Sequence, residues 1–146
     1  MAGGVHVNGN AGSSVGASIR GGLIVVDGDA GARAAIALKG GTVVIGGSAG
    51  YMTGFMMQTG TLVIGGKAGD GLGDSMYTGD IFVGGDIASL GADAVVRDPT
   101  DEELDTLRHL LAPLGHDADR SWKHVTSAGN LWHFEKEKYE LWKEAF

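Results

Sequence analysis

The stretch Gly40-Gly-Thr-Val-Val-Ile-Gly-Gly-Ser-Ala-Gly50 stands between two close copies of itself, GGLIVVDGDAG at 21–31 and TGTLVIGGKAG at 59–69. An earlier copy, GGVHVNGNAG, occupies 3–12, and a degenerate fifth, TGDIFVGGDIA, occupies 78–88. The spacing is 19 residues throughout, so Gly3, Gly22, Gly41, Gly60 and Gly79 form one column and Gly9, Gly28, Gly47, Gly66 and Gly85 another. A strand-type unit of this length cannot bury its apolar face alone; it must stack on its neighbours. The repeat therefore predicts an all-β solenoid: a single-stranded, right-handed parallel β-helix of about five coils over residues 1–97, the hand following from the usual sense of parallel crossovers.

The columns also predict the interior. Successive strand side chains point to opposite sides, so Ile24, Val43, Leu62 and Ile81 share a face with Val26, Ile45, Ile64 and Val83. After each corner come Ala11, Ala30, Ala49 and Ala68, then Ile19, Leu38, Met57 and Met76, a second inward set. On the outward side Leu23, Thr42, Thr61 and Asp80 tolerate solvent, as do Asn8, Asp27, Gly46, Gly65 and Gly84. Between them His6, Val25, Val44, Val63 and Phe82 form a stripe that is too apolar to be left bare. The tail of this chain or a partner is expected to cover it.

Residues 98–146 differ in character. They hold all three tryptophans, Trp122, Trp132 and Trp142, and most of the negative excess, with 6 basic and 11 acidic side chains against 5 and 7 in residues 1–97. Asp98-Pro99-Thr100-Asp101-Glu102-Glu103 reads as a helix start, with Thr100 and Glu103 as a capping box and an acidic first turn. Leu104, Leu107, Leu110, Leu111 and Leu114 follow at helical spacing, and Pro113-Leu114-Gly115 ends the element. A second, shorter helix is expected over 135–146. The tail is thus read as helical, and its tryptophans as interface anchors alongside Val25, Val44, Val63 and Phe82.

Composition narrows the chemistry. The chain of 146 residues has 27 glycines, 2 prolines, no cysteine and a formal charge of −7. Without cysteine it can supply no thiolate ligand, disulfide or cysteine nucleophile. The negative charge argues against nucleic acid as a partner. No apolar run is long enough to span a bilayer and no signal-type leader is seen, so a cytoplasmic protein is expected.

Individual motifs yield to structural explanations. In GGKAGDGLGD (65–74) Lys67 is followed by Ala68, where a phosphate loop needs Ser or Thr after Lys. Asp70 and Asp74 belong to one turn, and calcium-binding glycine repeats have a period of about nine residues. Asp80, Asp86 and Asp93 are read as turn residues that satisfy backbone donors. Among His6, His109, His116, His124 and His133, only His116 with Asp117 and Asp119 resembles a ligand cluster, and a solvated loop explains it. No serine lies in a nucleophile elbow. No catalytic, cofactor-binding or metal-binding residue is assigned to this chain.

Three copies of G-x-x-G-x-x-x-G stand in register: Gly9, Gly12 and Gly16; Gly47, Gly50 and Gly54; Gly66, Gly69 and Gly73. A fourth begins with Gly28 and Gly31 but ends in Ala35. The pattern resembles the carboxy-terminal β-helix domain of the glutamate synthase large subunit and its free-standing relatives, the β-helix subunits of N-methylglutamate synthase and glutamate synthase-like complexes. The β-helix subunit of formylmethanofuran dehydrogenase, from formyltransferase-hydrolase type complexes, is the alternative. The chain starts almost inside its first coil, where the relatives carry more sequence, so a short, truncated or partner-capped end is expected. The resemblance implies a scaffold role in nitrogen metabolism: a glutamine amidotransferase subunit releases ammonia, an FMN-binding subunit with an Fe–S cluster uses it, and the β-helix frames them. It implies no cofactor in this chain. The first coil and the stripe also allow association between copies.

Overall fold

The computed structural model describes residues 4–129. Five parallel strands, β1 (Gly4–Val7), β2 (Leu23–Val26), β3 (Lys39–Ile45), β4 (Thr59–Ile64) and β5 (Asp80–Val83), stack in chain order. Each residue pairs with the one 19 positions on, as in Val5 with Ile24, Ile24 with Val43, Val43 with Leu62 and Leu62 with Ile81. Five strands delimit four full turns of a parallel β-solenoid, against the five coils expected. The fifth unit keeps its corner, where Ile87 bridges Ala68 and Leu90 bridges Leu72, but it does not return as a sixth parallel strand. Instead β7 (Lys123–Ser127) runs antiparallel along β5, and β6 (Ala94–Arg97) pairs outside β7. The edge that a further coil would use is thereby taken.

The corners explain the second glycine column. Gly28 N–H donates to Gly9 O, Gly47 to Gly28, Gly66 to Gly47 and Gly85 to Gly66, all at 2.8–2.9 Å. This ladder brings backbone against backbone, and a Cβ on Gly47 would sit 2.8 Å from Gly28 O and 2.9 Å from its carbonyl carbon. Only glycine fits such an approach. Beside it the polar side chains form a ladder of their own: Asn10 Oδ1 accepts from Asp29 N, Asp29 Oδ1 from Ser48 N and Ser48 Oγ from Lys67 N.

The third motif glycine has a different reason. Gly16, Gly54 and Gly73 have φ near +70°, and Gly54 faces Ile81 and Leu62 inside the coil. Ala35 holds the same place with φ +57 and is fully buried. The fourth copy therefore keeps the left-handed backbone without its glycine.

The interior follows the predicted columns. Val26, Ile45, Ile64 and Val83 pack with Val43, Leu62 and Ile81, with Leu38, Met57 and Met76, and with the small Ala30, Ala49 and Ala68. Val125 of β7 joins this cluster and closes the last coil.

The tail departs from a purely helical reading. It contains the helix α1 (Asp101–Leu111), a 3-10 turn over Ala112–Leu114 and the strand β7. Helix α1 begins with the expected reciprocal cap: Glu103 N–H donates to Thr100 Oγ1 at 3.2 Å, and Thr100 N–H donates to Glu103 Oε1 at 2.8 Å. Gly115, at φ +77, ends the turn. The helix expected over 135–146, with Trp132 and Trp142, lies outside the described residues. Among the described residues no helix is long and apolar enough to cross a membrane.

Candidate functional site

The outward stripe is where solenoid and tail meet. Val25, Val44, Val63 and Phe82 are 1–6% exposed and form a second apolar cluster with Leu107, Leu111 and Trp122. Leu23, Leu104, Leu110, Leu114 and Ala118 pack around it. The leucine face of α1 thus lies on the valine column, and the stripe is covered by this chain itself. Trp122 belongs to the same cover: its indole N–H donates to Ala118 O at 2.8 Å. The Arg120 guanidinium donates to Gly65 O, and Lys123 Nζ to Gly85 O at 2.9 Å, so cations of the tail bind carbonyls at the glycine corners.

Most of the motif glycines are constrained by contacts with a neighbouring coil. Gly28, Gly31, Gly47, Gly50, Gly66 and Gly69 each abut the backbone of the coil before them, whereas Gly9 and Gly12 have nothing within 4 Å of a built Cβ. The same residue type in the same motif is thus constrained by packing in one coil and free of it in another.

Two polar clusters tie the tail to the coils. At one end of the cover Asp27 bridges two histidines, with His6 Nε2 at 2.8 Å from Oδ2 and His116 Nε2 at 3.0 Å from Oδ1. His116 therefore answers Asp27, 89 residues earlier, rather than Asp117 and Asp119; Asp117 instead accepts from the Asp119 N–H at 2.8 Å. The His6 hydrogen bond holds the Asp27 carboxyl below its ordinary value of 3.8, partial desolvation opposes it, and His116 adds to the lowering. A carboxyl with a depressed folded value stabilises the fold above pH 3.8, and the contribution disappears as pH falls through the folded value. Asp27→Asn is expected to lower the melting temperature at pH 6, with the difference from wild type closing as the pH drops below 3.8. Thermal melts of both chains between pH 2.5 and 6 measure this, and a pH-independent difference would contradict it.

The second cluster escaped the sequence reading. His124 of β7 is fully buried and stacks on Phe82, ring centroids 4.6 Å apart and planes 11° from parallel. Its Nε2 is 2.6 Å from Asp80 Oδ1. Its Nδ1 is 3.3 Å from Glu103 Oε2, yet the two make no hydrogen bond, and this nitrogen has no hydrogen-bond partner. Arg97 Nη2 approaches the same Glu103 oxygen at 3.3 Å. Partial burial pushes the Glu103 carboxyl up, but the Thr100 N–H, His124, the Thr100 hydroxyl and Arg97 outweigh it and hold it below 4.5. Asp80, read from sequence as a turn residue, instead opens β5 and pairs with a histidine 44 positions later. Asp93 does sit in a turn, with φ +65, but its Oδ2 accepts from the Ser127 hydroxyl at 3.2 Å, a side-chain rather than a backbone donor.

Apolar side chains remain exposed away from the covered stripe. Tyr51 is 54% and Met56 39% exposed, both on the turn joining β3 to β4. Comparison with models of known protein families and with curated proteins finds no match.

Proposed function

We propose that this chain is a scaffold subunit of a glutamate synthase-like complex, in which a glutamine amidotransferase and an FMN-binding synthase subunit do the chemistry. The observation that supports the reading is the G-x-x-G-x-x-x-G repeat, whose glycines bring successive backbones into contact and yield a rigid stack of coils. Such a stack presents fixed side chains at 19-residue intervals, a frame suited to holding two enzymes in register. N-methylglutamate synthase is the leading member of the class, and the cytoplasm is the compartment it implies. The FMN and Fe–S cluster reside in the partners.

Because α1 covers the valine stripe, the partner surface moves elsewhere. Tyr51 and Met56, exposed on the turn before β4, are the apolar anchors such a partner would bury. The test is reconstitution with a glutamine amidotransferase and an FMN-binding synthase chain of this class. Stable co-elution and glutamine-dependent amine transfer should need this chain, and Tyr51→Lys with Met56→Lys should weaken assembly at least about 30-fold while leaving the melt unchanged. Glutamine turnover by the isolated chain, or full activity in its absence, would refute the reading. Assembly instead with a molybdenum or tungsten enzyme would transfer the chain to the formylmethanofuran dehydrogenase class.

A further inference from the structure

We propose that His124 Nδ1 and Glu103, with Asp80 behind the histidine, form a binding site for a divalent metal cation of the zinc class whose remaining positions are filled by water. One ligand atom from each of the three lies within 4.8 Å of the others. The two ring nitrogens of His124 differ in their partners. In the neutral form, which is the form that binds a metal, the imidazole has one N–H; Asp80, 2.6 Å from Nε2, takes it. That leaves the Nδ1 lone pair bare, fully buried, and beside a second carboxylate.

Geometry separates a cation from a simple hydrogen bond. Two ligands about 2.1 Å from one zinc ion and 3.3 Å apart subtend about 100° at the metal, so their donor axes converge on a point off the line between them. Nδ1 and Glu103 Oε2 match this spacing: they lie 3.3 Å apart and make no hydrogen bond with each other. Asp80 then plays the part carboxylates play behind metal-bound histidines, fixing the tautomer through the other nitrogen. The mixed nitrogen and oxygen donors suit zinc and its neighbours better than calcium or magnesium.

Access and charge are consistent with this. A cleft of about 210 Å³ between α1 and the strands is lined by Asp80, Glu103, Thr61, Thr106 and Phe82; it reaches the two carboxylates, while the buried His124 does not line it. Arg97 is the cation that must yield; its side chain is 49% exposed, and an exposed ion pair is readily given up to solvent. The ion would join β5, α1 and β7, the three elements that close the solenoid and hold the cover. The inference is independent of the assembly reading above.

The test uses the full chain, stripped with a chelator, titrated with Zn²⁺ by calorimetry and with Co²⁺ by absorption. One saturable site per chain and a rise in melting temperature with added Zn²⁺ are expected. Glu103→Gln should abolish that site, and since glutamine still completes the helix cap the variant should remain folded. Asp80→Asn should weaken binding about 10–100-fold as the loss of an outer partner does, and Arg97→Ala should tighten it several-fold. No saturable uptake by folded wild type would overturn the proposal and leave a proton-only network. Uptake unchanged in Glu103→Gln would also overturn it, by placing the ion elsewhere.

Discussion

Gly47→Val should destroy the cooperative melt, whereas Gly12→Val, at the equivalent of Gly50 two coils earlier, should leave it nearly unchanged. At Gly47 the added side chain would drive into the Gly28 peptide at 2.8–2.9 Å and into the Asp29 carboxylate of the polar ladder. Both neighbours are held by backbone bonds on either side, so the clash cannot relax by a rotamer change. Overpacking of this kind costs about 3 kcal/mol or more, a large part of what a small domain has. At Gly12 a Cβ meets nothing within 4 Å, and the change is expected to stay within about 0.5 kcal/mol. Denaturant titrations of the two variants measure the difference. Equal losses would mean that the motif glycines are not set by contact between coils.

Val63→Lys should release the tail while the coils persist. Val63 is 1% exposed beneath Leu107 and Leu111, and an unpaired ammonium there would cost several kcal/mol. Lifting α1 lets the charge reach water, and the interior cluster of Ile45, Leu62 and Ile64 does not depend on α1. Limited proteolysis should then cut within 98–122 at a rate at least about tenfold above wild type, with the strand region still protected. Unchanged protection of the tail would contradict the packing described.

How far the sequence carried the fold depends on whether a residue had counterparts at 19-residue spacing. Val43, Leu62 and Ile81 were legible as a column because parallel coils stack like on like. Helix α1 was legible from a local signal, Thr100 and Glu103 three residues apart. Strand β7 was not. Val125 faces the last coil and His124 lies under α1, so both sides are buried and the alternation that marks a half-exposed strand is absent. The coil count failed for the same reason, since β7 takes the edge of β5.

The polar clusters were illegible on other grounds. Asp80, Glu103 and His124 come from a strand, a helix and a second strand, and only the docking of the tail brings them together. Nothing in the neighbours of Asp80 distinguishes it from Asp86 at the next turn. His116 was noticed for the acids beside it in sequence, while its actual partner, Asp27, lies across the fold. The valine stripe, by contrast, was read correctly as too apolar for solvent; which surface covered it needed the structure.

The parallel 19-residue register is directly measurable, because the chain has no native cysteine. Thr42 and Thr61 are paired across β3 and β4, and Thr61 and Asp80 across β4 and β5. Neighbouring strands lie about 4.8 Å apart, within disulfide range, and alternate strands about 9.6 Å apart, beyond it. Under mild oxidation the chain carrying Thr42→Cys and Thr61→Cys should form an intramolecular disulfide in high yield, and Thr42→Cys with Asp80→Cys should not. Rapid closure of the second pair, or failure of the first in a folded chain, would contradict the stacked-coil account.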